Sequence, residues 1–132
     1  MKYFTLSEFA CKGDADYQYS HCGCGFSLPT QGMHPDLLEI LELARAKAGK
    51  PIHITSGYRC PVHNANTDGA ASNSYHMRGM AADSWCEGYD VYEYKAILRA
   101  AMEALGIQGG LQEYPDSGFV HVDCRGYWAE WC

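Results

Sequence analysis

The sequence predicts an α+β domain in which a small antiparallel sheet is flanked by helices. Three observations predict it. Two stretches carry apolar residues at helical spacing between recognisable start and stop residues. Pro51-Ile52-His53-Ile54-Thr55 alternates and is β-rich, as a strand does. Two further β-rich runs, Gly110 to Tyr114 and Phe119 to Asp123, are joined by Pro115-Asp116-Ser117-Gly118, a turn sequence.

Taken in order, Thr5-Leu6-Ser7-Glu8 fits a capping box and predicts a short helix through Phe9 and Ala10. Residues 11–32 read as a loop-rich, cysteine-containing segment. Pro35 suits the first turn of a helix whose apolar positions are Leu37, Leu38, Leu41, Ala44 and Ala48, stopped by Gly49. Its other face carries Glu39, Glu42, Arg45 and Lys47, so this is a core-packing helix with a solvated side. After the strand at 51–55, Ser56-Gly57-Tyr58-Arg59 turns away, and Pro61 to Ser74 is Asn-, Gly- and Ser-rich, a long loop. A last helix spans about Asp90 to Leu105, with Val91, Tyr94, Leu98, Ala101, Met102 and Leu105 on one face and Gly106 at its end.

With 132 residues the chain is the size of one domain, read as a single unit 1–132 with its core over about 33–125. Its net charge of -6 and scattered basic residues argue against a nucleic-acid partner, which requires a positive stripe. No apolar run approaches the length of a membrane span. The N-terminus lacks the apolar stretch of a secretory signal, so the chain either starts in a cytoplasm or has lost an upstream signal. Seven cysteines, an odd number, leave at least one outside any intramolecular disulfide scheme. Cys11, His21, Cys22 and Cys24 are compatible with a second, structural metal, with disulfides, or with plain buried thiols.

Two segments carry candidate chemistry: Ser74-Tyr75-His76-Met77-Arg78-Gly79-Met80-Ala81-Ala82-Asp83, and His121-Val122-Asp123. Zinc takes histidine nitrogen and carboxylate oxygen, and catalytic sites commonly offer three protein ligands plus water. His76 and Asp83 would stand about 10.5 Å apart along one helix and more than ~20 Å apart along one strand. To meet at one ion, the chain must fold back between them, and Gly79 is where it can. In the last run Phe119, His121 and Asp123 share one face, and Val120 and Val122 the other. The valines can enter the core while His121 and Asp123 face a cleft. Each piece has a plainer reading: a hydrogen-bonded histidine, a turn aspartate, a surface arginine at Arg59.

Together, Ser74-x-His76-x-x-Gly79-x-Ala81-x-Asp83 and the later His121 resemble the zinc D-alanyl-D-alanine carboxypeptidase family. That family includes phage endolysin L-alanyl-D-glutamate peptidases and vancomycin-resistance D,D-dipeptidases, and its fold is shared with hedgehog signalling domains. Ser56-Gly57-Tyr58-Arg59 is similar to a segment upstream of the zinc motif in that family, and the resemblance covers about residues 33–125. It implies a zinc peptidase acting on peptidoglycan peptides at the cell wall, whether from a phage or a bacterium, as a monomer. It further implies His76, Asp83 and His121 as zinc ligands, Arg59 as oxyanion or substrate-carboxylate donor, and Ser74 as a hydrogen-bonding partner of substrate or of the motif loop.

One departure stands out. Many family members place a catalytic acid three residues before the last histidine, where this chain has Gly118. The candidates for proton transfer are Asp123, favoured because it faces the same cleft as His121, then Asp116 and Glu113; Asp123 has the second reading of orienting a ligand or Arg59. Two other functional classes compete with the peptidase: a zinc-bearing binding module of the same fold, and a cysteine–histidine amidase, for which no signature is visible. Tyr75, Trp85, Tyr89, Tyr114 and Trp128 are candidates to line a groove, with Trp128 and Trp131 the ones whose exposure matters most.

Overall fold

The computed structural model describes residues 1–11, 27–60 and 74–131. Most of the Cys-containing segment, with His21, Cys22 and Cys24, and the loop at 61–73 lie outside the described residues. A 3-10 turn at Leu6–Phe9 opens the chain, with the Glu8 carboxylate accepting from Thr5 N–H at 2.7 Å, as the capping sequence predicts. Then come α1 (Pro35–Ala48), β1 (Ile52–Ser56), a second 3-10 turn (Tyr75–Arg78), β2 (Ala81–Cys86), α2 (Val91–Leu105), β3 (Leu111–Tyr114) and β4 (Phe119–Asp123).

The helix boundaries follow from their caps. At α1 the His34 ring accepts from Asp36 N–H at 3.1 Å, Pro35 occupies the first turn, and Gly49 closes the helix in the left-handed region. At α2 Asp90 and Glu93 exchange bonds: Glu93 N–H donates to Asp90 at 2.7 Å, and Asp90 N–H to Glu93 at 3.0 Å. Removing such a cap costs about 1 kcal/mol.

The strands form one antiparallel sheet in the order β1-β2-β4-β3. One face packs on the two helices, which lie against each other. Ile52, Ile54, Ala82, Cys86, Val120, Val122 and Leu111 point there and meet Leu37, Ile40, Leu41, Leu98 and Met102 in one core. The Ser84 hydroxyl, also on this side, pairs with the Tyr94 hydroxyl at 2.7 Å and ties β2 to α2. Alternation therefore turns Ala81, Asp83 and Trp85 of β2, and His121 and Asp123 of β4, to the opposite face. Register places Asp83 directly across from His121, and His121 across from Gln112 of β3.

Candidate metal centre

His76 arrives at the sheet from the second 3-10 turn. Ser74 caps that turn by accepting from His76 N–H at 3.2 Å, so of its two expected roles the described contact is to the motif loop. Gly79 ends the turn at φ 68°, and its Cα faces Pro29 Cγ and Gly32 O so closely that a Cβ would lie 2.9 and 3.1 Å from them. This reversal delivers the chain into β2 and returns Asp83 towards His76, the fold-back that the seven-residue spacing demands.

The three expected ligands converge. His76 Nε2 lies 3.3 Å and His121 Nδ1 3.1 Å from Asp83 Oδ1, and one ligand atom from each residue lies within 4.8 Å of the other two. Tetrahedral ligands at zinc distances sit about 3.3 Å from one another. Each histidine has its other nitrogen engaged: His76 Nδ1–H donates to Gly57 O at 2.7 Å, and His121 Nε2–H to Asp123 Oδ2 at 2.7 Å. These bonds fix which nitrogen each ring turns to the centre. Among the described residues His76 Nε2 is buried without a hydrogen-bond partner, a costly arrangement for a polar atom unless something binds it. The donor set and this orphaned nitrogen fit a zinc ion.

The electrostatics agree. Burial pushes the Asp83 carboxyl upward, but the charge of His76 and the hydrogen bond and charge of His121 outweigh it and hold the group well below the usual carboxylate range. Burial opposes a charged His121, yet the hydrogen bonds and charges of Asp123 and Asp83 win and raise its pKa. Arg59 reaches the centre as well. Its Nη2 donates to Asp83 Oδ2 at 3.3 Å, its Nε to Ser56 Oγ at 3.3 Å, and its backbone N–H to His76 O at 3.1 Å.

The candidates for proton transfer lie in three different settings. Asp123 does face the same side as His121 but is fully buried. Its oxygens are taken up by His121, Arg125 and Gly110 N–H; despite burial, these bonds hold its carboxyl well below the usual range. In that setting its carboxylate holds the ring of His121, one of the three converging residues. Glu113 pairs with Lys95 of α2 at 3.0 Å. Asp116 is exposed in the turn between β3 and β4.

Sequence reasoning gave no role to Gly57, whose carbonyl orients His76, and passed over Arg125; Trp131, singled out there for its exposure, stands beside His121. The Trp131 ring stands edge-on to His121 at 5.2 Å, and its Nε1–H donates to the Tyr114 hydroxyl at 2.6 Å. The signal for Arg125 was available: it continues the i, i+2 alternation of His121 and Asp123. Cys86 and Cys124 are buried thiols that donate weakly to Lys50 O and Met80 O.

A profile of the family described as Peptidase M15 matches residues 2–123. The chain belongs to the peptidase M15 family. This is the group of metallopeptidases that the Ser74–Asp83 motif resembles. Within it, the chain is 38% identical over 78 residues to peptidoglycan L,D-endopeptidase MepK of Escherichia coli strain K12, covering 56% of this chain and 40% of the relative. It is 37% identical over 76 residues to the probable peptidoglycan L,D-endopeptidase MepK of Haemophilus influenzae, covering 54% and 38%. The chain thus spans about two fifths of the length of these curated relatives. A crystal structure of Serratia marcescens L-Ala D-Glu endopeptidase ChiX aligns with a TM-score of 0.56 at 21% identity, over 71% of this M15 chain and 81% of that one, a likeness of fold.

Proposed function

We propose that this M15 chain is a zinc-dependent peptidase that hydrolyses peptide bonds involving D-amino acids in peptidoglycan stem peptides or cross-links. The observation that carries the reading is the convergence of His76, Asp83 and His121, with His76 Nε2 buried and, among the described residues, without a hydrogen bond. The peptidoglycan substrate is supported by what the MepK relatives are named for. On this reading the chain acts as a monomer at the cell wall.

His76 Nε2, Asp83 Oδ1 and His121 Nδ1 would hold the ion. Bound there, zinc supplies a Lewis acid and brings the pKa of water down towards ~7. The protein's own groups do the rest. Gly57 O and Asp123 hold the two imidazoles in the ligating orientation. Arg59, beside Asp83 at the same centre, offers N–H donors to a substrate carbonyl oxygen as charge develops, or to a substrate carboxylate. Two stacked ring pairs lie on the same sheet face as Asp83 and His121: His53 with Trp85 at 4.3 Å, and Tyr114 with Phe119 at 4.9 Å. They offer apolar walls to a bound peptide.

A second reading, a zinc-bearing binding module with little turnover, is favoured by one observation: the oxygens of Asp123, the leading candidate for proton transfer, are already engaged. Mass spectrometry of muropeptides incubated with the protein, with and without chelator, separates the two. Zinc-restorable cleavage is expected, and the product masses name the bond. Zinc-loaded protein that leaves muropeptides intact would replace the peptidase reading with the binding module.

A further inference from the structure

Asp123 is 0% exposed, and its carboxylate accepts five hydrogen bonds. Oδ1 takes Gly110 N–H at 2.7 Å, Arg125 N–H at 3.1 Å and Arg125 Nε–H at 2.9 Å; Oδ2 takes Arg125 Nη2–H at 2.6 Å and His121 Nε2–H at 2.7 Å. Arg125 therefore grips Asp123 with two prongs, the geometry in which a guanidinium adds direction as well as charge. The guanidinium is itself held in an aromatic box, with the ring centres of Tyr75, Trp131 and Tyr127 at 4.6, 5.1 and 5.7 Å. Tyr75 adjoins His76 in the chain, and Trp131 touches His121, so the box is continuous with the metal centre.

The backbone is shaped around this fork. A Cβ at Gly110 would stand 2.3 Å from Asp123 Oδ2 and 2.6 Å from Arg125 Nη2, so only glycine leaves room for the paired groups. A surface ion pair needs none of this: no burial, no glycine, no rings around the cation.

We infer that Arg125 is a positioning residue of the metal centre: through the two-pronged bond to Asp123 it fixes the plane of the His121 ring and the nitrogen that ring turns to the ion. The inference rests on the metal-binding part of the proposed function and on no property of the substrate. Asp123 alone, hinged at its χ angles, would let the imidazole swing; clamped by Arg125 and Gly110 N–H, it cannot.

The test uses the full chain, zinc alone, and cobalt as its spectroscopic substitute. Arg125→Gln is expected to weaken zinc binding about 10- to 100-fold, as loss of an outer partner of a ligand does, and to alter the visible absorption of the cobalt-loaded protein. Arg125→Lys, which keeps the charge and loses the fork, should fall between wild type and Arg125→Gln, and it serves alone if the glutamine variant does not fold. In an Asp123→Asn background, Arg125→Gln should change zinc affinity less than twofold, because the link to His121 is already cut. Wild-type zinc affinity and an unchanged cobalt spectrum in both Arg125 variants would overturn the inference. So would an equal loss of affinity from Arg125→Gln with and without Asp123. Protein that binds zinc but cleaves no muropeptide sinks the peptidase reading and leaves this one standing; wild-type protein that binds neither metal sinks both.

Discussion

His76 and Asp83, seven residues apart in the chain, bring Nε2 and Oδ1 to 3.3 Å from each other across a single left-handed glycine turn. With His121 Nδ1 on the same oxygen at 3.1 Å, the carboxylate is the common point of the centre. Removing any one of the three should therefore cripple metal binding. Structural zinc sites bind with about 10–16 kcal/mol shared over four ligands, so His76→Ala or Asp83→Asn should cost roughly 10²- to 10³-fold in zinc affinity. Competition with a chromogenic chelator measures this; a loss under fivefold in either variant would place the ion elsewhere.

The metal-free protein should be most stable in mildly acidic solution. Asp83 and Asp123 have lowered pKa values, so their contribution is present above the unfolded carboxylate range near ~4 and is lost as pH falls. His121 has a raised pKa, so its contribution is complete below ~6.5 and is lost as pH rises through the folded value. Urea denaturation of chelator-treated protein should thus give a maximum between about pH 4 and 6.5. The proton that stabilises His121 competes with zinc, so zinc affinity should fall with pH over the same range. Metal-free stability that climbs steadily into alkaline solution would contradict the assignment of these groups.

Much of this fold was legible in the sequence because local signals and tertiary packing agree. Both helices announce themselves by period and by cap: Pro35 and Gly49 at α1, Asp90 and Gly106 at α2. The β3–β4 hairpin follows from its turn, and the split of His121 and Asp123 from Val120 and Val122 follows from alternation. Strand β2 was not legible. Ala81-Ala82-Asp83-Ser84-Trp85-Cys86 has no β-branched residue and no polar–apolar alternation. It is a strand because it lies between β1 and β4, with one face on the helices and the other in the metal centre, so five of its six residues are buried. The three residues that converge, His76, Asp83 and His121, could be named from the motif, but the setting of Asp123 could not. Its burial depends on Gly110, 13 residues earlier in the chain, and on a two-pronged bond from Arg125; alternation puts Arg125 on the right face but does not give that bond.

Gly79 should be intolerant of substitution. At φ 68° an L residue costs about 1–2 kcal/mol, and the new Cβ would also press on Pro29 and Gly32. Gly79→Ala should lower stability by at least that much and weaken zinc binding, because the same turn positions His76. Thermal unfolding of the metal-free protein and a zinc titration read the two effects separately; a variant matching wild type in both would mean that the turn can relax without moving His76.

Trp85 should serve the substrate and not the metal. It is 39% exposed, stacked on His53, and lies on the face that carries Asp83. An aromatic contact is worth about 0.5–1.5 kcal/mol, so Trp85→Ala should raise KM for muropeptides roughly threefold to tenfold. Zinc affinity should be unchanged. An unaltered KM would confine Trp85 to a surface role.

Arg59 is the sharpest test of how the centre handles charge. Its Nη2 sits on Asp83 Oδ2 at 3.3 Å, a long bond that can be surrendered to a stronger partner. A substrate oxygen that gains negative charge at the centre is such a partner. If Arg59 acts there, Arg59→Gln should lower kcat about 10²-fold or more, the scale for losing one donor to a developing oxyanion, with KM little changed. Zinc affinity should fall as well, by up to about 10- to 100-fold, because Arg59 is an outer partner of the proposed ligand Asp83, so the kinetics are read at saturating zinc. Steady-state kinetics on a purified muropeptide separate this from the alternative. A raised KM with kcat intact would assign Arg59 to holding a substrate carboxylate in the ground state, and no change in either would remove it from the machinery altogether.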